Sequence, residues 1–211
     1  MRWHFLFLFL SFFINEKSLS QSKMVLPTSF AVPISEELNP FYKLSSGHIE
    51  DLRKGEVVSV GQVETPKENV QELMEFVSGV HPRNCTRAMR KLSLYENYSQ
   101  YIDFIKESKY DEKNQKIHFV MDHALLPFPM VLEFKIARIT KEGHYPFTFD
   151  HGFLKGLQGK VIVKEVGKFC LLGLKTDWRG PKTKIPDTLF ETFIQTAARL
   201  GLEHLIRVSL F

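Results

Sequence analysis

Only two cysteines and two tryptophans occur among 211 residues. Two cysteines cannot staple a disulfide-dense miniprotein. Cys85 and Cys170 also show no CxxC spacing, so a four-ligand zinc site built on them is excluded. Glycine (12) and proline (10) are too few for a collagen or a low-complexity chain. Charge of one sign is scarce. The formal net charge of +4 is spread along the sequence, too weak and dispersed to argue for nucleic acid. The common chemical signatures are missing as well: there is no GxSxG elbow, HExxH, P-loop or dinucleotide fingerprint, and no internal repeat. The longest apolar run, Phe5 to Ile14, is about half the ~20 residues that a membrane-spanning helix needs.

What remains is an ordinary globular composition, 44% hydrophobic and 25% charged, with an excess of phenylalanine (19). That much aromatic surface fills a core and leaves some to line a cavity. The first 22 residues read as a secretory signal. Arg2 and His4 precede the apolar run, Asn15-Glu16-Lys17 follows it, and Ser18, Ser20 and Ser22 offer small residues for cleavage after Ser20 or Ser22. No cysteine follows the run to take a lipid. An exported protein, periplasmic or secreted, is therefore expected. Cys85 and Cys170 are compatible with buried small hydrophobes, and export would permit a bridge between them. Asn84-Cys85-Thr86 and Asn97-Tyr98-Ser99 match the glycosylation acceptor pattern. Residues 23–54 form a proline-punctuated lead-in. In it Phe41, Tyr42 and Leu44 are candidates to pack on the domain, and Ile49 and Leu52 predict a turn or two of helix ending at Gly55. The domain proper is expected over 55–211.

Gly55 to Glu64 reads as a strand, β-branched and bounded by Gly55 and Pro66. Residues 67–80 are ambiguous, because Val70, Leu73, Met74 and Val77 have helical spacing while the segment also suits a strand. Two short helices follow between Arg83 and Phe104. Six period-two segments come next, starting at Ile105, Lys116, Met130, Tyr145, Gly159 and Lys168, with turn residues between them, which predicts an antiparallel meander. Pro186 and Asp187 open a long C-terminal helix. Its apolar stripe (Leu189, Phe190, Phe193, Ile194, Ala197, Ala198, Leu202, Leu205, Ile206) has to cover the concave face of that sheet.

This order of elements resembles the START-like (SRPBCC) superfamily, which includes polyketide cyclase-like and lipid-transfer domains. The local sequence carries the likeness in two places. Leu92-Ser93-Leu94-Tyr95-Glu96-Asn97-Tyr98, with Tyr101-Ile102 and Lys106-Glu107-Ser108, looks like its second-helix segment. Gly152-Phe153-Leu154-Lys155-Gly156-Leu157-Gln158-Gly159-Lys160-Val161 looks like a turn and strand start common in its bacterial members. Leu94 and Ser99 depart from the Asp and Pro that many relatives carry. The resemblance implies an α+β helix-grip fold: a curved antiparallel sheet of about seven strands wrapped around a long C-terminal helix, with two short helices between strands 1 and 2. It also implies a cavity between sheet and helix for a hydrophobic small molecule such as a lipid, sterol, quinone or polyketide-like compound, bound without catalysis and without a cofactor or metal. Transient membrane contact is compatible with this; nucleic acid is not an expected partner. The residues expected to line the cavity are Phe119, Met121, His123, Phe134, Phe147, Phe149, Leu172, Leu174, Trp178, Phe190, Phe193, Ile194 and Ala197. The same stripes would also fill a solid core.

Chemistry, if present, is expected from His123, His151, Asp122 and Asp150. Strand alternation puts His123 on the Phe119/Met121 face and His151 on the Phe147/Phe149 face, where they could act as acid and base. Strand-end histidines also suit a solvent rim. Asp103 and Asp111, and the run Glu68, Glu72 and Glu75, read as solvated faces. Three hypotheses follow in order: a carrier of apolar molecules, an interaction module with a filled core, and a cyclase- or dehydratase-like enzyme.

Overall fold

The computed structural model describes residues 44–122 and 129–210. The expected signal segment, Phe41, Tyr42 and His123 lie outside the described residues. Eight strands form one antiparallel sheet among the described residues: β1 (Val58–Lys67), β2 (Val70–His81), β3 (Ile105–Asp111), β4 (Lys116–Met121), β5 (Met130–Lys135), β6 (Gly143–His151), β7 (Gln158–Val166) and β8 (Phe169–Pro181). Their order across the sheet is β1-β2-β8-β7-β6-β5-β4-β3. After the β1–β2 hairpin the chain crosses to the far edge through α2 (Cys85–Leu92) and a 3-10 helix (Tyr95–Gln100). It then returns by a meander that ends beside β2. A short helix, α1 (Ser46–Arg53), precedes β1, and the long α3 (Asp187–Val208) ends the chain.

Two details of the expected fold are corrected. The sheet has eight strands, and the two short helices lie between β2 and β3 rather than between strands 1 and 2. Both corrections come from residues 70–81, whose strand pattern is hidden by burial on both faces. Leu73 and Val77 point into the main core, while Phe76 and Val80 join a second cluster with Leu52, Val58, Ile162, Phe169 and Leu171. A strand packed on both sides loses its period-two alternation. α1 supplies part of that outer layer through Leu52. Ser45 caps the helix by accepting from the His48 N–H, and Gly55 turns the chain out of it at φ 82°.

α3 rests along β1 and β2 with its axis fixed by side chains. Val63 N–H donates to Glu191 at 3.1 Å, and Gln195 Nε2 donates to the Gly61 carbonyl at 3.0 Å. At the first turn the Asp187 carboxylate accepts from Thr65 Oγ1 (2.9 Å) and Gln71 Nε2 (2.7 Å), where the helix dipole favours an anion. Gly79 lets the helix approach closely, because a Cβ there would come within 2.8 Å of Ile206 Cδ1 and 3.0 Å of Val57 Cγ2, and those side chains would have to shift. Cys85 and Cys170 form a disulfide that ties the start of α2 to β8, 85 residues apart in sequence. Closing a loop of that size stabilises the fold by about 4 kcal/mol on a chain-entropy estimate.

Candidate functional site

Antiparallel partners directly opposite one another share a face of the sheet. Gly61 faces α3, since a Cβ on it would touch Gln195, and Gly61 pairs with Glu75. The concave face can therefore be read row by row. Leu73 sits beside Trp178. The next row runs Glu75, Thr176, Gly159, Phe147, and the one after it Val77, Leu174, Val161, Tyr145. Further along, Phe149 pairs with Phe134, Phe134 with Ile117, and Leu132 with Phe119.

Of the expected lining residues, the twelve described ones fall into two groups. Phe119, Met121, Phe147, Leu172, Trp178, Phe190 and Ile194 are buried. Phe134, Phe149, Leu174, Phe193 and Ala197 are only half-buried. For the residues of the sheet the difference follows from where α3 lies. Val77, on β2 beneath the helix, is 1% exposed, while Leu174, Val161 and Tyr145, stepping away from it, are half-buried. The aromatic rings on this outer half hold one another. Phe134 stacks on Phe149 with centroids 4.8 Å apart, and Phe119 meets Phe134 edge-on at 5.6 Å. At the N-terminal end of α3, Phe153 and Trp178 both meet Phe190 edge-on. There, Phe153, Trp178, Pro181, Lys182, Thr183, Lys184 and Ile185 line a hollow of about 400 Å³ that is open to solvent. A second hollow of about 440 Å³ is walled mainly by side chains of the opposite, convex face, Met74, Pro146, Thr148, Gln158, Lys160, Lys175 and Asp177, and it also touches Phe147, Gly159 and Thr176.

One residue read from sequence as solvated is a core residue. Glu75 is 4% exposed, and it accepts a hydrogen bond from Ser59 Oγ at 3.1 Å. Burial pushes its carboxyl up to about 8, with the Ser59 hydroxyl partly opposing the shift. Thr176 lies directly opposite it, and its buried hydroxyl has no hydrogen-bond partner among the described residues. The spacing of Glu68, Glu72 and Glu75 imitates one face of a helix, whereas a strand sends Glu72 and Glu75 to opposite sides. A second buried polar group, His81, lies near the C-terminal end of α3. Its Nδ1 accepts from the Arg83 N–H at 3.1 Å, its Nε2 has no hydrogen-bond partner among the described residues, and burial lowers its pKa.

The four residues expected to converge for catalysis do not do so as far as they are described. Asp122 and His151 are exposed, and Asp150 faces Lys116 at 3.7 Å. A register shift between Glu133 and Phe134 places His151 opposite Glu133. Glu133 in turn accepts from Lys116 and contacts His118 Nδ1, both at 3.1 Å, an ion-pair cluster that keeps its carboxylate pKa low. The bulge thus carries His151 away from the pattern that the Phe147/Phe149 alternation predicts. No group of three or more His, Cys, Asp or Glu side chains that could hold a metal occurs among the described residues, and no helix there is long and apolar enough to cross a membrane.

The two family-like segments are structural. Tyr95 is pinned through its hydroxyl, which donates to the Ala137 carbonyl (3.1 Å) and accepts from Ile139 N–H (3.0 Å). Arg138 clamps the same corner, bonding Ser93, Glu96 and Glu112 and lying 4.5 Å over the Tyr110 ring. In the second segment, Gly152 has φ 98°, and a Cβ there would strike the Val131 carbonyl at 2.0 Å. Leu154 and Leu157 tuck into the core, and the Trp178 indole donates to the Lys155 carbonyl at 3.0 Å.

No protein-family model matches the sequence, and no curated protein matches it. Solved structures do match its fold. A START superfamily protein from Mycobacterium smegmatis superposes with TM-score 0.50 at 14% identity, covering 65% of this chain and 93% of the other. The Zhui aromatase/cyclase from Streptomyces sp. R1128 gives 0.54 at 8% identity, covering 73% and 94%. A protein from Thermus thermophilus gives 0.54 at 13%, covering 64% and 95%. The chain therefore has the START-like helix-grip fold.

Proposed function

We propose that this chain binds an apolar small molecule of the lipid, sterol, quinone or polyketide-like kind against the open half of its concave face, as a carrier rather than a catalyst. The observation that carries the reading is the half-burial of Phe134, Phe149 and Leu174 on a sheet face whose helix-covered side is sealed, with Phe193 and Ala197 of α3 half-buried as well. A sheet that only needed a solid core would be covered by its helix to the same depth throughout. Aromatic walls with few polar groups suit an apolar guest. The START superfamily name and the aromatase/cyclase name borne by structural neighbours support the class of guest by analogy of fold. The exposed placement of Asp122 and His151 supports a carrier over an enzyme working through those residues. The Cys85–Cys170 disulfide supports export to an oxidising compartment, in line with the N-terminal signal pattern.

The test is native mass spectrometry of the protein purified from its host's exported fraction, followed by organic extraction. A bound species of defined mass, released by solvent, is the expected result. The bare chain mass, unshifted after incubation with a total lipid extract, would favour the interaction module with a filled core.

A further inference from the structure

The middle of the concave face holds a row that packing alone does not explain. Glu75, Thr176, Gly159 and Phe147 follow one another across β2, β8, β7 and β6. The rows on either side are apolar, Leu73 with Trp178 on one, and Val77, Leu174 and Val161 on the other. Into this setting the middle row brings a buried carboxyl and a buried hydroxyl with no hydrogen-bond partner among the described residues. Beside them stands a glycine that leaves no room for a side chain: a Cβ on Gly159 would strike the Lys175 carbonyl at 2.1 Å and come within 2.8 Å of the Phe147 ring. Valine at 176 would fill the same volume without an orphaned oxygen, so the hydroxyl is a cost in the empty protein.

We propose that Glu75 and Thr176 form the polar end of the guest site and select an uncharged ligand whose buried end carries a hydroxyl or carbonyl oxygen. This rests on the carrier reading above. The Thr176 hydroxyl donates to a carbonyl or accepts from a hydroxyl of the guest. Glu75, held by Ser59 on β1, adds a second hydrogen-bonding group on the same row. Burial keeps the Glu75 carboxyl protonated at neutral pH, which gives the row both a donor and an acceptor. A guest ending in a carboxylate is rejected, because its charge would be buried without a cation among the side chains of this row. A guest with only a methyl at that end leaves the hydroxyl orphaned and binds more weakly.

The experiment is a fluorescence titration of the intact chain at pH 7 with three probes of one shape: 9-anthracenemethanol, 9-methylanthracene and anthracene-9-carboxylate. In the native protein 9-anthracenemethanol should bind at least tenfold tighter than 9-methylanthracene, with the carboxylate weakest. In Thr176→Val, which keeps the volume and removes the hydroxyl, the preference for the alcohol over the methyl compound should shrink to about twofold or less. Glu75→Gln, still a neutral hydrogen-bonding group, should retain most of it. Equal affinity for alcohol and methyl compound in the native protein would overturn the assignment of a polar end while leaving an apolar site standing, as would an unchanged preference in Thr176→Val. Binding of none of the three probes would overturn the carrier reading itself, and this proposal with it.

Discussion

From Val77 through Leu174 and Val161 to Tyr145, a single row of the sheet passes from a sealed region to an open one. On the sealed side α3 is bonded to β1 and β2 at Gly61, Val63, Thr65 and Gln71, and polar groups as well as apolar ones are enclosed. On the open side the wall is almost wholly aromatic, and its rings rest on each other rather than on the helix. The contrast separates two tasks that a single core usually combines. One half of the face supplies the stability of the fold, and the other supplies apolar surface that is not used up in folding.

The largest effect expected from breaking this division is loss of the disulfide. Replacing Cys85 and Cys170 together by alanine should lower the unfolding free energy by about 4 kcal/mol, read from urea denaturation. A loss below about 1 kcal/mol would mean that the bridge adds little to an already sealed half. Paired truncations come next. Phe190 is 0% exposed, wedged between Phe153 and Trp178, so Phe190→Ala should cost about 4 kcal/mol. Phe134→Ala on the open half should cost about half that in stability while weakening binding of an apolar probe. Equal costs would erase the distinction between the halves.

A pH series sharpens the contrast from the sealed side. The Glu75 carboxyl stays protonated in the fold up to about pH 8, whereas in the unfolded chain it ionises near its ordinary value of 4.5. Its full contribution is present below pH 4.5 and is lost progressively as pH rises to about 8. Glu75→Gln should therefore gain on the native protein by about 3 kcal/mol between pH 4.5 and 7. His81 acts in the other direction, losing stability as pH falls below 6.5, but it does so in both proteins and cancels in the comparison. A difference that does not change with pH would mean that water reaches Glu75. The smallest effect is expected at the outer rim. His151→Ala should change stability by less than about 0.5 kcal/mol and leave probe binding as it was, since the side chain is exposed.

Much of this arrangement was legible in the sequence, for a physical reason. β4, β5 and β6 carry most of their apolar residues on one face and their polar ones on the other, so Phe119, Phe134, Phe147 and Phe149 announce a shared surface, and the stripe from Phe190 to Ile206 announces its cover. Pro186 and Asp187 mark the helix start where Asp187 is in fact held by Thr65 and Gln71. What was hidden lies where neighbours decide. β2 is packed from both sides and shows no alternation. The bulge in β6, where Asp150 is the extra residue between Phe149 and His151, is a pairing event that leaves no mark in the order of residues around His151. Glu75 looks like any surface acid until the strands beside it place it under a helix, and Thr176 has a missing partner only once its neighbours are known.

The disulfide gives the molecule a second kind of order. The backbone from Cys85 to Cys170 is a covalent ring, and it carries β3 through β7, the whole aromatic wall. β1, β2, nearly all of β8 and α3 lie on the two tails that leave that ring. The molecule is thus a closed band gripped by its own two ends. A protease that cuts the band once adds the mass of one water and releases nothing, so the nicked protein migrates as a single species until it is reduced. A cut in the tail before α3 frees the clasp instead.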